Sequence, residues 1–276
     1  MRISKMEFSY GLIPKKKLGQ HFILNKEVLL KLIEYAKVNS KDVVLEVGAG
    51  LGNLTELIAA KAKKVIAVEK DSRFTKILKE KFKESNVEVI EGDILKIGLN
   101  LPYFNKILGN IPYYISSKFI LLMLKQKFDL GVLTLQKEFA ERLNAQPGMK
   151  KYGRITIAVK RRVNVEVLDV IPKTMFTPKP KVDSSIVRFT PKEYIRRVDE
   201  ELFEDLTRSL FNQKRRKTSK VLLRFLIDKY SEKGKNLFNM LTVPDKRVYE
   251  LSIEELEDLT NQITFLQSNT TVLKCV

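Results

Sequence analysis

Val43-Val44-Leu45-Glu46-Val47-Gly48-Ala49-Gly50-Leu51-Gly52 is the stretch on which the reading of the fold turns. Its first five residues are mostly β-branched and apolar, which predicts a buried strand. Three glycines follow at alternate positions, and Leu54, Leu57 and Ile58 then fall on one face of a helix. Strand, glycine turn and helix in direct succession form one unit of an α/β domain. The missing side chains of Gly48, Gly50 and Gly52 let a ligand lie against the backbone, beside the positive end of the helix. A nicotinamide-binding turn would carry its third glycine at position 53, where this chain has Asn53, so the spacing argues against a dinucleotide.

Outward from this unit the pattern repeats. Apolar strands over residues 65–68, 87–90 and 106–108 end at Glu69, at Gly92-Asp93 and at Gly109-Asn110, with helical patterns between them. The alternation predicts a parallel sheet wound on both faces, whose ligands sit beyond the carboxyl ends of the strands. Glu69 is placed to accept hydrogen bonds from both hydroxyls of a ribose, and Asp93 to accept from an adenine amine. Three consecutive strand ends presenting Glu69, Asp93 and Asn110 point to an adenosine-containing cofactor. Further strands are predicted at residues 130–135, 154–160, 163–170 and 185–189, the second and third joined by a tight basic turn and the last closing the sheet. From about Pro191 amphipathic helices take over, at residues 201–210, 219–228 and 253–265. The expected division is a sheet domain over residues 1–190 and a helical domain over 191–276.

Lysine and arginine outnumber aspartate and glutamate 51 to 33, a net charge of +18 spread along the 276 residues. Such an excess attracts phosphate backbones through Coulomb forces and counterion release. A solvated thermophile surface adds charges of both signs and does not account for the imbalance. Basic clusters at Lys15 to Lys17, at Lys160-Arg161-Arg162 and at Lys214-Arg215-Arg216-Lys217 are candidate contacts to nucleic acid, the last being the strongest. Cys275 is the sole cysteine, so no internal disulfide and no cysteine-based metal cluster is expected, and a reducing cytoplasm fits. The first ten residues lack the apolar core of a secretory signal, and the longest apolar run, residues 119–124, is far too short for a bilayer, so no membrane role is expected.

Asn110-Ile111-Pro112-Tyr113 carries the chemistry. The exocyclic amine of adenine is a poor nucleophile, because its lone pair is delocalised into the ring. An asparagine oxygen and a neighbouring backbone carbonyl that accept its two N–H groups draw the nitrogen toward a tetrahedral geometry and free the lone pair for attack on a sulfonium methyl. Pro112 holds the turn rigid and keeps Ile111 extended, while Tyr113 offers a face for stacking. No strong general base is required, and positioning and charge preorganisation supply the rate.

With Lys17-Leu18-Gly19-Gln20-His21-Phe22, Lys151-Tyr152-Gly153-Arg154 and the segment from Phe176 through Pro178-Lys179-Pro180-Lys181-Val182 to Ser184, these motifs run in a fixed order over roughly residues 15–190. In that order the chain closely resembles the KsgA-type dimethyladenosine transferases of small-subunit ribosomal RNA. The resemblance implies an α/β, Rossmann-like doubly wound methyltransferase sheet with a smaller C-terminal α-helical domain that helps dock on a preribosomal particle, and a monomer. It implies that His21, Ile23, Gly48, Gly50, Glu69, Asp93 and Asn110 line a pocket for S-adenosyl-L-methionine, with Asn110 shared between cofactor and target. It also implies that Phe176 and Tyr113 sandwich the extruded adenine, since an enzyme working on a base must unstack it. An Erm-type enzyme acting on large-subunit RNA shares the Asn-Ile-Pro-Tyr and Pro-Lys-Pro-Lys-Val signatures, and Tyr152-Gly153-Arg154 favours the small-subunit family. A catalytically silent binding protein on the same scaffold is the reading from another class.

Overall fold

The computed structural model describes residues 14, 15, 18–98 and 100–272. Lys16 and Lys17 of the first basic cluster, and Cys275, lie outside the described residues. In chain order the elements are β1 (Phe22–Ile23), α1 (Lys26–Tyr35), β2 (Val43–Val47), α2 (Asn53–Ala59), β3 (Lys64–Glu69), α3 (Ser72–Lys81), β4 (Val87–Glu91), α4 (Ile94–Ile97), β5 (Lys106–Gly109), α5 (Ser116–Met123), β6 (Leu130–Gln136) and α6 (Lys137–Leu143). They continue with α7 (Arg154–Arg162), β7 (Val163–Ile171), β8 (Phe176–Thr177), β9 (Ser184–Pro191), α8 (Glu200–Asn212), α9 (Thr218–Tyr230), α10 (Glu232–Met240) and α11 (Ile253–Val272).

Seven strands form one sheet in the order β4-β3-β2-β5-β6-β9-β7. The strands from β4 to β6 pair in parallel, which is the consequence of helical crossovers between them. The chain runs outward from β2 to β4 and then returns to β5 on the other side of β2. That reversal leaves a crevice beyond the carboxyl ends of β2 and β5, the place where open α/β sheets bind ligands. The core beneath it is aliphatic: Val44, Leu108, Val65 and Ile58 have no exposed surface.

Two sequence-based expectations are corrected here. Residues 154–160 do not form a strand but belong to the helix α7, which runs directly into β7 without a turn. The alternating Ile155, Ile157 and Val159 read as strand, but Thr156, Ile157, Val159 and Arg161 are the buried residues, and packing overrides the β propensity of the branched side chains. Residues 185–189 do not close the sheet as its outermost strand. They belong to β9, which is inserted between β6 and β7 and pairs antiparallel with both.

The chain divides into two compact units. The first comprises Met1–Asn144 and Arg162–Lys192, and the second Ala145–Arg161 and Glu193–Val276. The second unit therefore includes a segment that sequence reading assigned to the first. Its core joins Tyr152 and Ile157 to Leu206, Leu210, Leu222 and Leu259 of the terminal helices. Arg161, 4% exposed, donates to Glu257 at 2.8 Å and to Glu200 at 2.8 Å, with its guanidinium 4.6 Å from the centre of the Phe203 ring. The cluster at residues 160–162 thus contains a cation neutralised inside the unit, not a free surface charge. Tyr152, 1% exposed, packs edge-on against Phe211, so that part of the Lys151-Tyr152-Gly153-Arg154 motif has a packing role. Among the described residues no helix is long and apolar enough to cross a membrane.

Candidate functional site

The crevice is an open cleft of about 680 Å³ within the first unit. Gly48 and Gly50, at φ +78° and +55°, form its floor in a backbone conformation that other residues adopt only with strain. A Cβ at Gly48 would stand 3.5 Å from the Asn110 carbonyl oxygen, and one at Gly50 would stand 2.8 Å from the Phe22 ring. The positive φ at both positions and the Phe22 ring against Gly50 thus reserve this trough for glycine. A smaller recess of about 350 Å³ shares Phe22, Gly48 and Asn110 with the cleft and is lined further by Ile23, Glu46 and Leu54.

Two carboxylates are buried here. Glu69 ends β3 and is drawn into place by backbone N–H groups: Gly50 donates to Oε2 at 2.9 Å, while Lys70 and Asp71 donate to Oε1 at 2.9 and 2.8 Å. Burial raises its pKa, against which these three hydrogen bonds act. Each carboxylate oxygen accepts about two hydrogen bonds, so Oε2 keeps capacity for a ligand hydroxyl. Glu46, inside β2, is 1% exposed and its Oε2 has no partner. Burial pushes its pKa up to about 8, and the Glu69 carboxylate adds to the rise.

Asp93 closes the far end. Its Oδ1 accepts from the Leu95 backbone N–H at 3.0 Å as the cap of α4, and its Oδ2 accepts from Lys70 Nζ at 2.8 Å. The Lys70 ammonium holds the Asp93 carboxyl below its ordinary pKa. Asp71, one residue past Lys70, ties the N-terminal segment to the start of α3: it receives Gln20 Nε2 at 3.0 Å and the Arg73 guanidinium at 2.7 Å.

At the other end, Asn110 Nδ2 donates to the His21 carbonyl oxygen at 2.6 Å. This contact orients the carboxamide and leaves Oδ1 as its free acceptor. His21 donates from Nδ1 to the Pro178 carbonyl oxygen at 2.6 Å and stacks on Tyr113 at 5.8 Å between ring centres. The Tyr113 hydroxyl bonds Ser184 Oγ at 2.6 Å at the start of β9.

His21, Gly48, Gly50, Glu69, Asp93 and Asn110 are thus gathered around one cleft, whereas Ile23, 4% exposed, lines only the smaller recess. The two aromatics do not form an open slot. Tyr113 already has His21 on its face, and Phe176 is 3% exposed in the core, paired with Ile23 between β1 and β8. Sequence reading missed Glu46, Lys70 and the Gln20–Asp71 tie. The charged residue at the centre of an apolar strand was the signal available for Glu46.

A family model described as ribosomal RNA adenine dimethylase matches residues 13–264. The chain belongs to the ribosomal RNA adenine dimethylase family. Its similarity to other members extends over nearly its whole length. It is 40% identical over 255 residues to the "probable ribosomal RNA small subunit methyltransferase A" of Thermococcus sibiricus, covering 91% of this chain and 92% of that protein. The Pyrococcus abyssi protein of the same description is 41% identical over 253 residues, with 91% and 92% covered. A crystal structure of a dimethyladenosine transferase from Plasmodium falciparum superposes with a TM-score of 0.80 at 33% identity, covering 88% of this chain and 98% of that one. The 23S rRNA methyltransferase ErmE, at 24% identity and a TM-score of 0.65, shares the fold.

A dimethylase draws on a methyl donor, and the residues around the cleft fit S-adenosyl-L-methionine. A glycine trough accepts a flat nucleoside against the backbone, Glu69 Oε2 retains an acceptor site for a ribose hydroxyl, and Glu46 Oε2 is a buried polar atom without a partner beside the trough. Among the described residues no group of three or more His, Cys, Asp or Glu is placed to hold a metal ion.

Proposed function

We propose that this protein transfers methyl groups from S-adenosyl-L-methionine to the exocyclic amines of two adjacent adenosines in small-subunit ribosomal RNA, forming dimethyladenosine during ribosome assembly in the cytoplasm. The observation that carries the reading is the Asn110 carboxamide, held by His21 at 2.6 Å so that its oxygen is free as an acceptor at the mouth of a cleft containing Glu69 and Asp93. When bound, S-adenosyl-L-methionine supplies an electrophilic methyl on a sulfonium sulfur. Glu69 would hold the ribose, Gly48 and Gly50 would lie beneath it, and His21 and Ile23 would wall the pocket.

Asn110 Oδ1 accepts one N–H of the target amine, and a main-chain carbonyl of the same turn accepts the other. The lone pair so released would attack the sulfonium methyl: the N–C bond would form as the S–C bond breaks, S-adenosyl-L-homocysteine would leave as a neutral thioether, and the extra proton would pass to water. The gain comes from positioning and fixed dipoles, which need no reorganisation at the moment of reaction. Tyr113 and Phe176 would stack on the extruded base. For that, His21 must leave the Tyr113 face or the Phe176 ring must turn outward, and the β1–β8 pair is the element to move.

RNA affinity would come from phosphate contacts and shape. In the second unit, Arg215 and Arg216 are exposed on the loop between α8 and α9, while Lys217 is paired with Asp245. Lys214 is spent on the carbonyls of Lys150 and Tyr152, so the first two arginines are the candidates for docking.

The test is to incubate the protein with methyl-labelled S-adenosyl-L-methionine and immature small ribosomal subunits and to map the label by mass spectrometry. Label in dimethyladenosine of small-subunit RNA is expected. Label in large-subunit RNA would overturn the substrate, and cofactor binding without transfer to any RNA would overturn the activity.

A further inference from the structure

The acceptor expected to read the adenine of the cofactor already carries one hydrogen bond on each oxygen, and the one on Oδ2 comes from an ammonium. Asp93 Oδ1 is committed to the Leu95 backbone N–H, which fixes the plane of the carboxylate, and Oδ2 carries the Lys70 ammonium at 2.8 Å. Both residues line the cleft, the Lys70 side chain 47% and the Asp93 side chain 18% exposed. The Lys70 backbone cannot shift to relieve this, because its N–H is bonded to Glu69 Oε1 at 2.9 Å. Its side chain can, with four rotatable carbons and half its surface in water. An ammonium at this place also puts a full positive charge next to the partial positive charge of an arriving N–H group.

We infer that Lys70 competes with the 6-amino group of the cofactor's adenine for Asp93 Oδ2, and so acts as a gate that lowers affinity at the adenine end of the cleft. The inference rests on the cofactor reading of the cleft. Lys70 leaves Asp93 when the amine binds and closes on it again when the product departs. Because the ion pair faces solvent, it is weak and salt-sensitive, and the effect is a matter of a few-fold in affinity. The gate favours release of the spent cofactor, a step that limits turnover in many enzymes.

The experiment is calorimetric titration of the full-length protein with S-adenosyl-L-homocysteine, for the wild type, Lys70→Met and Lys70→Gln. Both variants should bind about two- to fivefold more tightly than wild type at 50 mM NaCl, a range set by the strength of exposed ion pairs. The ratio should approach one at 1 M NaCl. S-inosyl-L-homocysteine, which has an exocyclic carbonyl oxygen in place of the 6-amino group, gains nothing from a freed Asp93, and the same variants should not tighten its binding. Equal or weaker binding of S-adenosyl-L-homocysteine by both variants would overturn the gate while leaving the cofactor reading intact. Failure of the wild type to bind S-adenosyl-L-homocysteine at any salt would overturn the cofactor reading itself.

Discussion

Buried charge is handled differently in the two units. In the helical unit, Arg161 sits between Glu257 and Glu200, the face of its guanidinium covered by Phe203, and the charges complete one another. In the sheet unit, Glu69 is buried but held only by backbone amides, and Glu46 keeps an oxygen with no partner at all. The first arrangement holds chain segments together. The second stores unfinished hydrogen bonding at a cleft, which a ligand can complete. Burying a polar atom without a partner costs stability, and a ligand in the cleft would relieve that cost at Glu46.

Three perturbations sharpen the contrast. Replacing Arg161 by methionine should leave Glu257 buried and uncompensated and cost about 3–5 kcal/mol of stability, read by urea unfolding. An unchanged midpoint would show that the completed charges are dispensable. Asn110→Ala should cost only about 1 kcal/mol of stability, through the lost hydrogen bond to His21, and lower methyl transfer to immature subunits by about 10²–10³-fold, the loss typical of one preorganised polar contact to a reacting group. Retained transfer would remove the carboxamide from the chemistry.

The third concerns pH. The folded-state pKa of Glu46 is about 8, above the ordinary carboxylate value, so as pH rises from about 4.5 to 8 the unfolded chain gives up this proton before the folded protein does. Stability of the ligand-free protein should therefore fall across that window, by roughly 1 kcal/mol per pH unit in its middle. Glu46→Gln should remove that part of the slope, and parallel pH profiles for the two proteins would show that Glu46 is not protonated in the fold.

What could be read in advance follows the same contrast. The glycine side of the cleft is built by local sequence: Gly48 to Gly52 turn directly out of a strand, and Glu69 and Asp93 are simply the next strand ends. Asn110 stands on a proline-bearing turn that is local too. Its tether is not, since His21 lies 89 positions away and Pro178, which holds His21, lies 157 from it. No periodicity announces such contacts. The same reason explains the misread residues 154–160, where branched side chains favour a strand but Ile157 and Arg161 are claimed by residues some fifty to a hundred positions downstream. Phe176 was assigned by resemblance to the face of a base, and its burial with Ile23 depends on a two-residue strand pair that carries no signal of its own.

The helical unit is built from two separate stretches of chain, Ala145–Arg161 and Glu193–Val276. A gene fusion or exchange at a single junction near residue 192 would hand on a tail without Tyr152, Ile157 and Arg161, and so without part of its own core and the counter-charge of Glu257. Such a unit cannot be traded between proteins as a cassette, and sheet and helices are bound to be inherited together.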